Sequence, residues 1–478
     1  MSAYQTVVGL EIHIHLNTKT KAFCSCRAEF GDEPNTNVCP VCMGYPGVLP
    51  VLNEEALTQA YTVARALGCE LSKRTLFDRK NYFYPDMPKN YQITQFHDPV
   101  GRNGKIEFQA ADGTVKTVRI HDVHLEEDAG KMVHAGDMSL CDYNRAGYSL
   151  LEVVTEPDLD GGDDAEAFLL SFQRLVRYLG VSDGNMEEGS MKCDTNVSIR
   201  KAGEELGTKV EIKNLNSTRF IRKAIEFETK RQGGALDAGN QITQETRLWN
   251  ENRDVTETMR TKEGSLDYRY FPEPDIPPFS PDAAFWSVVE SRQVELPLAR
   301  KRRLTEAFGL SKEQADYVAE SRFIADFYEN TVKALSKGGA AGGQAVANWL
   351  MGDVQKELNH FTLTLEKSPL TSARLAQLQN LLDSGRIHIK IAKQLLDAVF
   401  EENKDPEALM KEKGLEAITT EEQLSPIVDE VFAKNANVVE AVKAGDARQR
   451  GFLVGQVMKA TDGRAAPALV NALLSKRL

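Results

Sequence analysis

The chain has 478 residues, too many for one apolar core, and its 41% hydrophobic and 27% charged content is that of a soluble globular protein of roughly two to four domains. A net charge of −12 excludes a surface coated with nucleic acid but leaves room for a local basic patch, and no apolar run approaches the ~20 residues of a membrane helix. Seven cysteines are too few, and odd in number, for a disulfide framework, and the N-terminus shows neither a signal peptide nor an Arg-rich transit segment, which predicts a cytoplasmic protein.

Residues 6–16, TVVGLEIHIHL, alternate cleanly. Val8, Leu10, Ile12, Ile14 and Leu16 fall on one face of a strand, and Glu11, His13 and His15 on the other. One acid and two imidazoles on a strand face suit metal ligation as well as an ordinary satisfied surface. Cys24, Cys26, Cys39 and Cys42 follow as C-x-C and C-P-x-C. Four thiolates fit a closed tetrahedral zinc site, in an insert over residues 24–42 that holds a loop and does no chemistry. Two redox pairs are the rival reading, disfavoured because no thioredoxin-like βαβ pattern surrounds them.

Residues 54–67 read as an amphipathic helix. The stretch 77–96, FDRKNYFYPDMPKNYQITQF, interleaves aromatics with Arg79, Lys80 and Lys89, and Pro85 and Pro88 keep it out of a helix interior. Such a loop suits a flat base or a phosphate chain, or simply packs as an aromatic loop with a cationic rim. Residues 101–117 read as a hairpin with turns at Asn103-Gly104 and Asp112-Gly113. They lead into HLEEDAG at 124–130, a strand end on which His124, Glu126 and Asp128 face one way. Clustered carboxylates repel, so a divalent cation or solvent must offset Glu126, Glu127 and Asp128.

Residues 141–158, CDYNRAGYSLLEVVTEPD, supply a further strand with Glu152, Val154 and Glu156 on one side, and a helix over 168–179 follows. The G-x-x-x-x-G-S-M-K of residues 184–192 is not a Walker A loop, because Lys192 comes two positions late and no Ser/Thr follows it. Lys209, Glu211 and Lys213 share one face of the next strand, away from Val210 and Ile212. The proline-rich stretch 266–278 closes the first unit. Helical periodicity takes over from about Leu296, with 338–343 a short flexible loop and Pro406 a boundary before a last small unit. Over 441–478 the basic residues Lys443, Arg448, Arg450, Lys459, Arg464, Lys476 and Arg477 face only Asp446 and Asp462, as on a nucleic-acid contact or a solvated helical surface.

Together GLEIHIHL, FDRKNYFYPDMPKNYQITQF, HLEEDAGK, LLEVVTEPD, MEEGSMKCDTNVS, EIKNLNS, DYRYFPEPDIPP and the C-terminal GFLVGQVMKATDGRAAPALVNALL resemble the GatB family, the B subunit of the bacterial aspartyl/glutamyl-tRNA(Asn/Gln) amidotransferase, along the whole chain and in the family's order. The resemblance implies an α+β fold: a cradle domain on an antiparallel sheet over 1–293, an all-α domain over 294–405 and a small helical tail over 406–478 that touches tRNA. It implies ATP-dependent phosphorylation of the side-chain carboxylate of Glu-tRNA(Gln) or Asp-tRNA(Asn), then amidation with ammonia from a partner amidase, in a complex of three different subunits whose third member is small. A scaffold that only binds tRNA is the alternative.

Carried onto this sequence, the resemblance implies Mg²⁺ ligands at His13, Glu126 and Glu152 with Glu11 beside them. Glu127, Asp128, Glu156, Asp194 and Glu211 stand as second candidates, as ligands or orienters of the attacking amine. Arg79, Lys80, Tyr82, Lys192 and Lys213 are expected on nucleotide or phosphate. Some members of the family lack the four cysteines, which fits a structural zinc.

Overall fold

The alternating N-terminal segment forms strand β1 (Gln5–His15), whose apolar face is wholly buried: Val8, Ile12 and Ile14 are 0% exposed and Leu10 1%. Each such side chain stabilises the fold by about 2 kcal/mol on leaving water. In chain order come β2 (Glu70–Leu71), β3 (Asp78–Asn81), β4 (Tyr91–Thr94), β5 (Gly101–Gln109), β6 (Val115–Glu127), β7 (Lys131–Ala135), β8 (Met138–Asp142), β9 (Ser149–Thr155), β10 (Met191–Arg200), β11 (Val210–Lys213), β12 (Glu245–Asn250), β13 (Val255–Thr261) and β14 (Phe271–Pro272). The structure, a computed structural model, describes residues 4–261 and 265–478.

The main sheet runs β13-β12-β11-β10-β1-β9-β6-β5-β2, so β1 lies inside it between β10 and β9. Every neighbouring pair is antiparallel except β11 and β12, which run parallel because helix α3 (Thr218–Asp237) forms the crossover between them; helices α1 (Glu54–Ala66) and α2 (Gly162–Leu179) come earlier in the chain. These three helices cover the apolar face through Leu57, Ala60, Phe168, Phe172, Ile221 and Ile225. Asn53 caps α1 by accepting from the backbone N–H of Glu55 and Ala56. The opposite, polar face is walled by the small sheet β14-β3-β4, and β7 and β8 form a separate two-stranded hairpin.

Two glycine signals have another meaning than expected. Asn103-Gly104 is no turn: β5 continues through it in unbroken register with β6, and Asn103 takes a left-handed φ of 54° inside the strand. Gly104 is there for closeness, since a Cβ would lie 2.5 Å from Cys69 Sγ and 2.7 Å from the Leu67 carbonyl. Helix α2 also starts earlier than its apolar period suggests, at Gly162, where Asp163 and Asp164 occupy the first turn.

The chain divides into two compact units, residues 1–298 and 299–478. Helix α4 (Ala283–Ser291) belongs to the first, with Phe285 and Val289 in the sheet's core, so helical structure begins before Leu296. The second unit is helical. Helices α5 (Pro297–Phe308), α6 (Lys312–Val318), α7 (Arg322–Lys333), α8 (Gly339–Trp349), α9 (Gln355–Phe361), α10 (Ser372–Asp383), α11 (Ile389–Glu402) and α12 (Pro406–Glu412) enclose one core reaching Leu409 and Met410. Helices α13 (Glu421–Lys434), α14 (Ala436–Lys443), α15 (Arg450–Ala460) and α16 (Pro467–Arg477) enclose another. The glycines expected as a loop at 338–343 lie at the start of α8, where a Cβ on Gly343 would sit 2.7 Å from the Phe308 ring.

Candidate active site and cysteine cluster

Strand pairing assembles the polar face. His13 on β1 stands opposite Glu152 on β9, and Glu152 stands opposite His124 on β6, so the three side chains lie abreast across adjacent strands. Glu152 Oε2 is 3.1 Å from His13 Nε2 and 3.2 Å from His124 Nε2. Glu126, two residues beyond His124 and hence on the same face, places its carboxylate 3.9 Å from His13 and 3.8 Å from His124, and Thr94 Oγ1 donates to it at 3.1 Å. Glu11 closes the group 3.8 Å from His13. The row continues over β10 and β11, where Asp194 faces Glu11 across the strands, Lys213 donates to Asp194, and Thr246 on β12 donates to Glu211 at 2.7 Å.

Charge is unevenly shared in this row. Burial alone would lower the His13 pKa, but Glu152, Glu126 and Glu11 raise it to about 9. His124 is raised likewise by Glu152, and both imidazoles in turn hold Glu152 well below the usual carboxylate range despite its burial. Burial and the Glu152 charge push Glu11 up to about 7 and also raise Glu126. Among the described residues, Glu11–His13–Glu152 and His124–Glu126–Glu152 each offer one ligand atom per residue, all within 4.8 Å of one another. Carboxylate oxygens with imidazole nitrogen suit a hard or borderline divalent cation, and the protonated imidazoles supply the positive charge that such an ion would bring.

The row floors a cleft of about 820 Å³ walled by Lys80, Phe96, Arg102, Tyr268 and Tyr270. Lys80 Nζ lies 5.1 Å from the Tyr268 ring centre, and Glu126, Tyr270 and Glu152 keep it protonated against the pull of burial. The backbone of Phe96 donates to Asp78, while its ring stacks on Tyr270 with centres 4.1 Å apart.

On the neighbouring side lies the cysteine quartet. Cys24, Cys26, Cys39 and Cys42 bring their sulfurs within 4.8 Å of one another. A tetrahedron with Zn–S of about 2.3 Å has edges of about 3.8 Å, and Cys39 Sγ and Cys42 Sγ stand 3.9 Å apart. The Cys42 thiol is held far below its ordinary range, chiefly by its hydrogen bond with Cys24, with the Cys39 backbone and Lys21 adding to it. The set fits a zinc ion.

Comparison with known proteins then decides the family. The GatB/GatE catalytic domain family matches residues 6–287, and the GatB domain family matches residues 326–478. The chain belongs to the GatB family of tRNA-dependent amidotransferases. Similar relatives include the aspartyl/glutamyl-tRNA(Asn/Gln) amidotransferase B subunit of Carboxydothermus hydrogenoformans, 46% identical over 484 residues and covering 100% of this chain and 99% of the relative. Those of Moorella thermoacetica, 47% identical with 99% and 100% covered, and Crocosphaera subtropica, 45% identical with 99% and 98% covered, are alike in length.

Of the residues that the GatB resemblance singled out, the structure brings Glu11, His13, Glu126, Glu152, Lys80, Lys213 and Glu211 into or beside one cleft, with Asp194 next to them. Tyr82 backs the wall, its ring 6.4 Å from Tyr268. Arg79 is turned away: it forks onto Glu273 at 2.6 and 3.0 Å, reaches Asp275 at 2.9 Å and lies over Tyr91. Glu127 also points elsewhere, bonded by Lys89 and by the Ile93 N–H, and lines a small cavity of about 80 Å³ with Lys21, Cys24 and Cys42.

Asp128 forms its own group, 2.7 Å from His15 Nε2, 3.2 Å from Arg145 and 3.8 Å from half-exposed Lys192, and these partners hold its carboxyl well below the usual range against the effect of burial. Glu156 pairs with His121 at 2.9 Å. Sequence reasoning left His124 out of the ligand set, although its i, i+2 spacing from Glu126 placed it on the same face. It also missed Tyr268 and Tyr270, which reach the cleft only through the pairing of β14 with β3.

Proposed function

We propose that this protein activates and amidates the side-chain carboxylate of Glu-tRNA(Gln), Asp-tRNA(Asn) or both, in the cytoplasm, with ammonia released by a partner amidase in a complex that also holds a third, small protein. The observation that carries the reading is the row His13–Glu152–His124 with Glu11 and Glu126 in a cleft walled by Lys80. A carboxylate oxygen of the aminoacyl group attacks the γ-phosphorus of ATP, ADP leaves, and ammonia then displaces phosphate from the acyl carbon.

His13, Glu11, Glu126 and Glu152 would hold Mg²⁺, which neutralises charge on a phosphoryl group during transfer. Lys80 and Lys213 place fixed ammonium charges over the same floor and suit phosphate oxygens. Structural zinc in the cysteine quartet holds the loop beside the cleft. Among the described residues of the last helices, Lys443, Arg448 and Lys459 have no ion pair, which suits contact with tRNA phosphates, whereas Lys476 and Arg477 are taken by Glu421 and Asp429.

The test uses the complex reconstituted with its partner proteins, misacylated tRNA, ATP and ammonium. Glu126→Gln and Glu152→Gln should bind tRNA normally yet lose amide formation by about 100-fold or more, the scale of removing one electrostatic contact to a transition state. Near-normal rates in both variants would defeat the reading, and so would the absence of ATP hydrolysis stimulated by misacylated tRNA.

A further inference from the structure

Lys21 is a lysine with 0% exposure, and its surroundings do not explain its charge. Its Nζ donates to the Tyr143 carbonyl at 3.2 Å and to Cys42 Sγ at 3.7 Å, with the Tyr148 ring centre 5.9 Å away. Among the described residues no carboxylate lies within ion-pair distance of it. Glu127 lines the same small cavity but is engaged by Lys89 and the Ile93 N–H. Lysines are almost never fully buried without a paired anion.

The anion is supplied if the quartet is metal-bound. Four thiolates around Zn²⁺ carry a net charge of −2, whereas four neutral thiols carry none. Lys21 is also placed to touch both halves of the quartet: its backbone N–H donates to the Cys26 carbonyl at 3.0 Å, and its side chain reaches Cys42. Gly147 packs beside the lysine stem, where a Cβ would meet Lys21 Cδ at 3.5 Å, Cys42 Cβ at 3.7 Å and Glu127 Oε2 at 3.7 Å. The Ala22 N–H donates to the Gly147 carbonyl at 2.8 Å and fastens this turn to the segment carrying Lys21.

We propose that Lys21 is the charge partner of the zinc tetrathiolate, a positioning residue whose ammonium holds the metal in place and ties the C-P-x-C half of the loop to the turn at 143–147. The inference rests on the quartet binding zinc. It assigns to one side chain outside the ligand set the control of how fast the metal leaves.

The test is zinc release from the purified full-length chain to a chromogenic chelator, for wild type, Lys21→Met and Lys21→Arg, with folding checked by circular dichroism. Wild type should hold about one zinc per chain. Lys21→Met, which keeps the apolar stem and loses the charge, should release zinc about 10-fold faster or more, and Lys21→Arg should stay within about threefold of wild type, as expected when charge-assisted hydrogen bonding is kept. A packing role gives the reverse order, with Met tolerated and Arg not. In Co²⁺-loaded protein the sulfur-to-metal charge-transfer band should move to longer wavelength in Lys21→Met, because an unbonded sulfur is more electron-rich.

Should Lys21→Met not fold, comparison of Lys21→Arg with Lys21→Gln reads the same quantity. Wild type without zinc overturns the metal reading itself. Wild type with zinc, but with equal release from charged and uncharged variants, overturns the role of Lys21 alone.

Discussion

At the scale of single residues, the row across β6, β9 and β1 binds a proton where the proposed function needs a metal. An imidazole ligates only when neutral, and His13 is raised to about 9 by the carboxylates around it. Glu11, raised to about 7 by burial and Glu152, is also partly protonated near neutrality. Both shifts have one sign: a cation must displace protons, so its apparent affinity rises as pH climbs from 7 towards 9, and binding at pH 7 releases protons. Calorimetry with Mn²⁺ or Mg²⁺ in two buffers of different ionisation enthalpy should show that release, and an affinity flat or falling over this range would contradict the assignment.

The pattern of TVVGLEIHIHL made the polar face of β1 legible, because a half-buried strand alternates with period two. Its partners were not legible in the same way. His13 and Glu152 are 139 residues apart, and nothing local says that β9 pairs with β1 in the register that sets them opposite each other. Arg79 and Lys80 show the same limit. Adjacent strand residues point to opposite faces, and only the position of Glu273 and Asp275, in the distant proline-rich stretch, decides that Arg79 faces those acids while Lys80 faces the cleft.

At the scale of elements, β12 fastens the edge of the cleft through both of its faces. Thr246 holds Glu211 in the cleft, while Arg247, the next residue, turns to helix α3 and its buried Glu228. Glu228 has 0% exposure and is bonded by Arg231, by Gln232 at 3.0 Å and by Thr256 at 3.1 Å, with Arg247 Nε 3.7 Å away. Arg247 in turn donates to Glu245 at 2.7 Å, to Thr258 Oγ1 at 2.8 Å and to Thr256 at 2.8 and 2.7 Å.

Arg247→Met leaves that carboxylate with less opposing charge and several acceptors without donors. Breaking one side of such a buried network costs about 3 kcal/mol. Denaturant unfolding of the full chain should show a loss of that size in the first unit, and a loss under about 0.5 kcal/mol, the range of an ordinary surface substitution, would mean that the network is solvated. Of these elements only β11 was readable from its alternation, Lys209, Glu211 and Lys213 against Val210 and Ile212. The two glycine sites were not, because glycine marks a close approach as readily as a turn, and the atoms approached, such as the Phe308 ring against Gly343, lie on other elements.

At the scale of the whole molecule, three apolar cores divide the chain without sharing a residue. One lies under the sheet, and two lie in the helical unit, over residues 304–410 and 418–474. The two helical cores are tied together by backbone where the Ala417 N–H, beside Ile418 of the last core, donates to the carbonyl of Arg386, beside Ile387 of the other, at 2.8 Å; within the last core the Ile418 N–H donates to the Arg464 carbonyl at 2.9 Å and Ile418 bridges Ala465. Such a unit buries its own apolar surface and satisfies its own backbone, which are the conditions for folding alone.

A fragment of residues 295–478, cut ahead of α5 so that Pro297 keeps its place in the first helical turn, should therefore be soluble, strongly helical by circular dichroism and cooperative in thermal unfolding. It should carry none of the ATP-dependent chemistry, because every residue of the row and the wall precedes it. If the fragment instead lacks a cooperative transition, the helical unit depends on the rest of the chain, and the separation of its cores from the sheet's core does not describe how the protein is held together.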